Sequence, residues 1–335
     1  MRLATCCRDP RLVIQGHDAA IARFLGAWRN GAMHHAWLLT GPRGIGKASF
    51  ARGAATRILA EAAGPPIDEP GIDTPENHPT AHLIAAGSHP DYRFLERIEN
   101  KTGTALARNI SVDQVRDLGD LFAVTPAMSD WRAVVIDCAD DLDREGANAL
   151  LKMLEEPPAR CVFLLVSHVP GRLLPTIRSR CRKLEFQPLA DDVMASVLAE
   201  QGIAPSKIAG LVQRAGGSPG KALSYAALDL APLHDQALAI MRNGDPVNER
   251  RAKLAQSLAL KASADRYAAF LQIVPGMIAD EARLLDGPAR LRALDAYRRA
   301  RETCQLAPRL SFDPGATVFQ LGTILASVAP EGASV

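Results

Sequence analysis

Apolar positions along the chain follow two rhythms that alternate. Over residues 17–29, Ile21, Leu25 and Trp28 fall at helical spacing, and Asn30-Gly31 supplies a stop. The run "AWLLT" over 36–40 is continuous and short, as in a strand, and leads through a glycine-rich turn into an Ala-rich helical segment over 47–63. Further short apolar runs over 133–137 and 161–167, with the mixed stretches "YRFL" over 92–95 and "RKLEF" up to Phe186, predict four more strands. Between them, Ser111 is an N-cap for a helix carrying Val112, Val115, Leu118, Leu121 and Phe122 on one face. A second helix over 144–156 aligns Ala147, Leu150, Leu151 and Leu154, and Pro157-Pro158 ends it. Strands alternating with helices predict a parallel α/β sheet.

After Pro188 the pattern changes to short helices, broken at Gly202, Pro205, Gly216-Gly217 and Pro219-Gly220. From Ala231 it is helical to near the end, in segments bounded by Gly244-Asp245-Pro246, Gly287-Pro288 and Pro308. The predicted organisation is an α/β domain over 1–187, a small helical domain over 188–229 and a helical bundle over 230–335. The Pro-, Gly- and acid-rich stretch 64–79 reads as a surface insertion of no legible function, and 101–108 as a polar loop.

Length agrees with several domains, since 335 residues exceed the roughly 250 at which single cores stop growing. With 47% hydrophobic and 23% charged residues the composition is globular, and a formal net charge of +2 leaves no large basic field for nucleic acid. None of the six cysteines forms a C-x-x-C pair, so reduced thiols are expected. The N-terminus lacks the apolar stretch of about 7–15 residues that a secretion signal needs, and no run of about 18 apolar residues occurs. A cytoplasmic protein with no membrane partner is the expectation.

The turn "GPRGIGK" satisfies the phosphate-cradling pattern with Gly41, Gly44, Gly46 and Lys47. The next position, which needs a hydroxyl for Mg²⁺, is Ala48, and Ser49 lies about 100° further round the helix. Asp137, ending the strand "AVVID", matches the carboxylate that holds Mg²⁺ through water, but the general base expected after it is replaced by Cys138. Both departures fall on the hydrolytic side: the residues allow ATP in a loop that could equally stand empty or hold phosphate alone, with Mg²⁺ only alongside nucleotide, and they predict no efficient turnover. Arg178, Arg180, Arg182 and Lys183 form a basic cluster that is, taken alone, a solvated surface turn.

In this order and spacing, "HHAWLLTGPRGIGK", "ISVDQVR", "VVIDCADDLDREGANALLKMLEEPP" and "LLPTIRSRC" resemble bacterial clamp-loader subunits of the AAA+ class, in the delta-prime branch of DNA polymerase III; the likeness covers about 14–221. The resemblance implies an AAA+ P-loop domain, a helical lid and a helical collar. It implies a hetero-pentamer with gamma/tau and delta subunits, acting on the sliding clamp and primed DNA as part of the polymerase III holoenzyme, with no polymerase activity of the chain itself. It implies further that Arg180 of the Ser-Arg-Cys triplet enters a neighbouring subunit's ATP site, that Ser167 is the sensor 1 residue and that Lys221 lies near sensor 2. For Lys221 an exposed lysine in a first helical turn is the plainer account. Many such subunits carry a four-cysteine zinc module between the nucleotide motifs, and here 50–132 contains no cysteine; His78, His82 and His89 read as loop residues, so no metal is expected. The alternative is an ATP-hydrolysing gamma/tau-like subunit or related AAA+ ATPase, in which Ser49 or water replaces the missing hydroxyl. A P-loop kinase would explain neither Arg180 nor the helical C-terminal third.

Overall fold

The computed structural model describes residues 14–99 and 107–330, so Cys6, Cys7 and most of the polar loop read over 101–108 lie outside the described residues. Two compact units divide the chain between residues 222 and 223.

In the first unit, five parallel strands stand in the order β2-β3-β4-β1-β5: β1 Ala36–Thr40, β2 Tyr92–Glu96, β3 Arg132–Asp137, β4 Cys161–Ser167 and β5 Arg182–Glu185. Both faces are covered, which is why the central strands read as unbroken apolar runs. Trp37, Leu39, Val135, Leu164 and Val166 point into one core with α1 (Asp18–Arg29) and α2 (Lys47–Ala63). Alternate residues, Leu38, Val134, Ile136, Phe163 and Leu165, point into the other, with α4 (Val112–Arg116), α5 (Leu118–Ala123), α6 (Arg144–Glu155) and α7 (Pro175–Arg180). The short helices α8 (Asp191–Glu200) and α9 (Pro205–Ala215) follow, and then α10 (Pro219–Ala227).

Three details differ from the sequence reading. The single helix expected after Ser111 is two, because the chain turns at Asp117; Ser111 and Gln114 do close a capping box at its start. A helix not foreseen, α3 (Pro79–Ala85), follows the insertion, with His78 Nδ1 accepting the Thr80 amide at 3.2 Å. The insertion itself is fastened down. The fully buried Arg57 of α2 pairs with Glu61 at 2.6 Å and donates to the carbonyls of Ile67, Glu69 and Asp73.

The second unit is helical: α11 (Ala231–Asn243), α12 (Glu249–Ala259), α13 (Ala264–Leu284), α14 (Gly287–Leu310) and α15 (Pro314–Ala326). Leu254, Leu258, Phe270, Val274, Ile278, Val318, Leu321 and Leu325 are buried among them. Asp245 fixes the turn into α12 by accepting the amides of Arg250 and Arg251 and the Arg251 guanidinium. Pro308, read as a boundary, lies inside α14, as Pro275 does inside α13; each helix continues through its proline. No described helix is long and apolar enough to cross a membrane.

Candidate nucleotide site and the α7 arginine

Parallel strands bring their C-terminal ends to one edge, so residues far apart in sequence meet there. Thr40 and Ser167 are register partners on β1 and β4, and Asp137 ends β3 opposite Glu96 of β2. The turn leaving β1 has left-handed backbone at Gly44 and Gly46, with φ of 77° and 99°. A Cβ on Gly44 would stand 2.6 Å from Ser218 Oγ and 3.2 Å from the Lys221 amide nitrogen. The close approach has a cause. Ser218 Oγ donates to the Arg43 carbonyl and the Gly220 amide donates to the Gly44 carbonyl, both at 2.9 Å, so the start of α10 braces the loop from behind. Lys221, the sensor 2 candidate, sits in that first turn and donates its amide to Ser218 Oγ at 3.2 Å. On the other flank, buried His17 donates Nε2–H to the Ile45 carbonyl at 2.7 Å and sets its ring edge against Phe186. Burial lowers its pKa and keeps it neutral.

Lys47 opens α2 and is 2% exposed. Its ammonium donates to the carbonyls of Gly41 and Pro42 at 2.7 and 2.5 Å, and burial brings its pKa down to about 8. The loop therefore has the features a phosphate needs: left-handed glycines, a helix N-terminus and a lysine fixed beneath them. The metal side does not fit. Ala48 packs its methyl against the sheet core, and Ser49 is half-buried at the next helical position. Asp137 remains; burial and the Glu96 carboxylate raise its pKa, against Arg43, Lys47 and Arg52.

Beside it, the buried Cys138 thiol donates to Asp140 Oδ2 at 3.1 Å, and burial and that carboxylate push its pKa upward, so it holds its proton. Asp140 was not singled out in the sequence, yet it organises this edge. It also accepts Ser167 Oγ at 2.6 Å and the amides of His168 and Val169 at 2.6 and 3.1 Å. Burial alone would raise its pKa; those hydrogen bonds outweigh it and hold the carboxyl below its ordinary value. The hydroxyl of Ser167, the sensor 1 candidate, is thus committed to a carboxylate. His168, next in line, is pushed down to about 3 by burial and by Lys47 and Arg43, and its Nδ1 has no partner among the described residues.

The basic cluster separates into single side chains. Arg182 lies over the Trp37 ring at 5.0 Å and Lys183 pairs with Glu185 at 3.1 Å, both on the edge strand β5. Arg180 ends α7, donating Nη1 to the Thr176 carbonyl at 3.2 Å and pairing Nη2 with Glu155 at 2.9 Å. Among the described residues no group of three or more His, Cys, Asp or Glu could hold a metal, and His89 Nδ1 accepts the Asp91 amide.

A glycine-rich loop at the carboxyl edge of a five-stranded parallel sheet, leading into a helix and followed by a set of short helices, defines a P-loop-type α/β fold. Residues 16–190 match the family described as "DNA polymerase III, delta subunit", and the chain belongs to that family. It is 42% identical over 149 residues to DNA polymerase III subunit delta' of Pseudomonas aeruginosa, covering 44% of this chain and 41% of that one. To DNA polymerase III subunit gamma/tau of Mycobacterium tuberculosis it is 34% identical over 217 residues, covering 63% and 35%. The matched stretches span less than half the length of these relatives. A gamma subunit-related protein from Thermotoga maritima superposes over 91% of this chain and 98% of its own, with 14% identity and a TM-score of 0.43.

Proposed function

We propose that this chain is a delta-prime-type clamp-loader subunit that lends Arg180 to the ATP site of a neighbouring subunit while its own phosphate loop turns nothing over. The observation that carries the reading is the contrast within one unit. At the loop, the position for a metal-binding hydroxyl is a core-packed methyl, and the position for a base is a protonated thiol already donating to Asp140. At the tip of α7, a guanidinium 37% exposed has an exposed carboxylate as its charged partner. A guanidinium supplied across a boundary stabilises charge developing on the transferred phosphoryl group, an effect of about 10³–10⁵ in rate.

On this reading the partners are gamma/tau-type and delta subunits in a hetero-pentamer that places the sliding clamp on primed DNA. Gly41, Gly44, Gly46 and Lys47 would hold the phosphates of ATP, with Asp137 left as the carboxylate toward any Mg²⁺ that accompanies it. This chain's residues fix the loop and keep Ser167 and Cys138 engaged elsewhere. Identity to gamma/tau-named relatives over 217 residues favours a second reading, an ATP-hydrolysing subunit using Ser49 or water. Purified alone, the chain is expected to release no appreciable phosphate from ATP, and Arg180→Ala to depress hydrolysis by the reconstituted loader without preventing assembly. Turnover by the isolated chain that Lys47→Ala abolishes would establish the second reading instead.

A further inference from the structure

Glu155 ends α6, where its charge is out of place. The unpaired carbonyls of a helix C-terminus carry about half a negative charge, so a carboxylate there is repelled by its own helix. The compensation comes from the neighbouring helix: Arg180 Nη2 lies 2.9 Å from Glu155 Oε1, and α7's own Thr176 carbonyl takes Nη1 at 3.2 Å. Both side chains are more than a third exposed, at 37% and 43%. An exposed pair of this kind is weak, whereas a guanidinium on phosphate in a water-excluded interface makes shorter, charge-assisted hydrogen bonds.

We propose that Glu155 is the resting anion of Arg180: it holds the guanidinium on this chain's own surface until a nucleotide triphosphate of the adjacent subunit displaces it, and takes it back when the phosphate leaves. The inference rests on the trans role proposed above for Arg180. No covalent bond changes; one anion is exchanged for another on the same nitrogen. Glu155 is on this account a positioning residue, competing with the phosphate before and during reaction alike. Such a competitor weakens ground state and transition state equally, so its removal appears in KM rather than in kcat.

The test is steady-state ATP hydrolysis by the loader reconstituted from this chain and its ATP-hydrolysing partners, at low and high salt. Glu155→Gln is expected to lower KM for ATP about two- to fivefold, the span an exposed ion pair allows, with kcat moving less and the effect shrinking at high salt. Glu155→Asp, which keeps the charge, is expected to hold KM nearer the parent value. In an Arg180→Ala background the Glu155 substitution should do nothing. An unchanged KM, or a loss confined to kcat, while Arg180→Ala still depresses hydrolysis, overturns the role of Glu155 and leaves the trans arginine standing. Undiminished hydrolysis with Arg180→Ala removes the trans reading and this inference with it.

Discussion

Lys47 and Arg180 are the two cations on which a nucleotide reading turns, and the fold treats them in opposite ways. Lys47 is buried, bonded to two carbonyls of its own loop and brought down to a pKa of about 8. Arg180 is exposed at a helix end and held by a carboxylate that is itself exposed. The first can serve only a ligand that enters the loop; the second can serve one that arrives from outside. The difference teaches that a motif's presence does not reveal where its chemistry occurs. What matters is whether the surrounding hydrogen bonds are already spent.

If that contrast is right, substitutions in the buried region should appear as lost stability, and those at the α7 tip as lost loader activity. Arg57→Met leaves Glu61 buried without its cation and should cost about 3 kcal/mol in denaturant unfolding. A change under about 1 kcal/mol would mean that the insertion is held by something else. Arg180→Lys keeps the charge and loses the planar fork, so loader hydrolysis should fall on the order of 10²-fold with the unfolding midpoint almost unmoved. Full activity with lysine would reduce the arginine to a point charge.

Asp140→Asn keeps the shape but sets an amide against the His168 and Val169 amides, with an expected loss of about 2 kcal/mol. The acid limb tests the same carboxyl. Because its folded pKa lies below the ordinary 3.8, its contribution is complete above about pH 4 and disappears as pH falls through the folded value. The variant should therefore show a shallower acid transition than the parent. The smallest effect concerns the loop: retention of ATP in equilibrium dialysis should weaken about tenfold from pH 7 to pH 9 as Lys47 loses its proton. A flat profile would show that the amides alone hold the phosphates.

Much of this arrangement could be read from the chain before its folding was known. The three inner strands were legible as short apolar runs closed by a polar or breaking residue, and the edge strands β2 and β5 as shorter mixed stretches; strand order then brings Lys47, Asp137 and Ser167 to one edge. Boundaries that depend on tertiary context were not. Asp117 divides α4 from α5 without a proline, and Pro308 is absorbed where its position predicted a stop. Asp140 escaped notice because "DCADD" holds three aspartates and nothing local says which one will meet Ser167, 27 positions away. The partner of Arg180 was equally hidden: Glu155 lies on another helix, in a motif whose apolar spacing says nothing of what its carboxylates meet.

The meeting of Gly44 with Gly220 carries a practical lesson for engineering. A Cβ on Gly220 would stand 3.0 Å from Gly44 Cα and 3.1 Å from its carbonyl oxygen, and one on Gly44 would strike Ser218. The two segments are therefore a matched pair of surfaces. Grafting a different nucleotide loop into this scaffold will fit only if residues 218–221 are exchanged with it as one cassette.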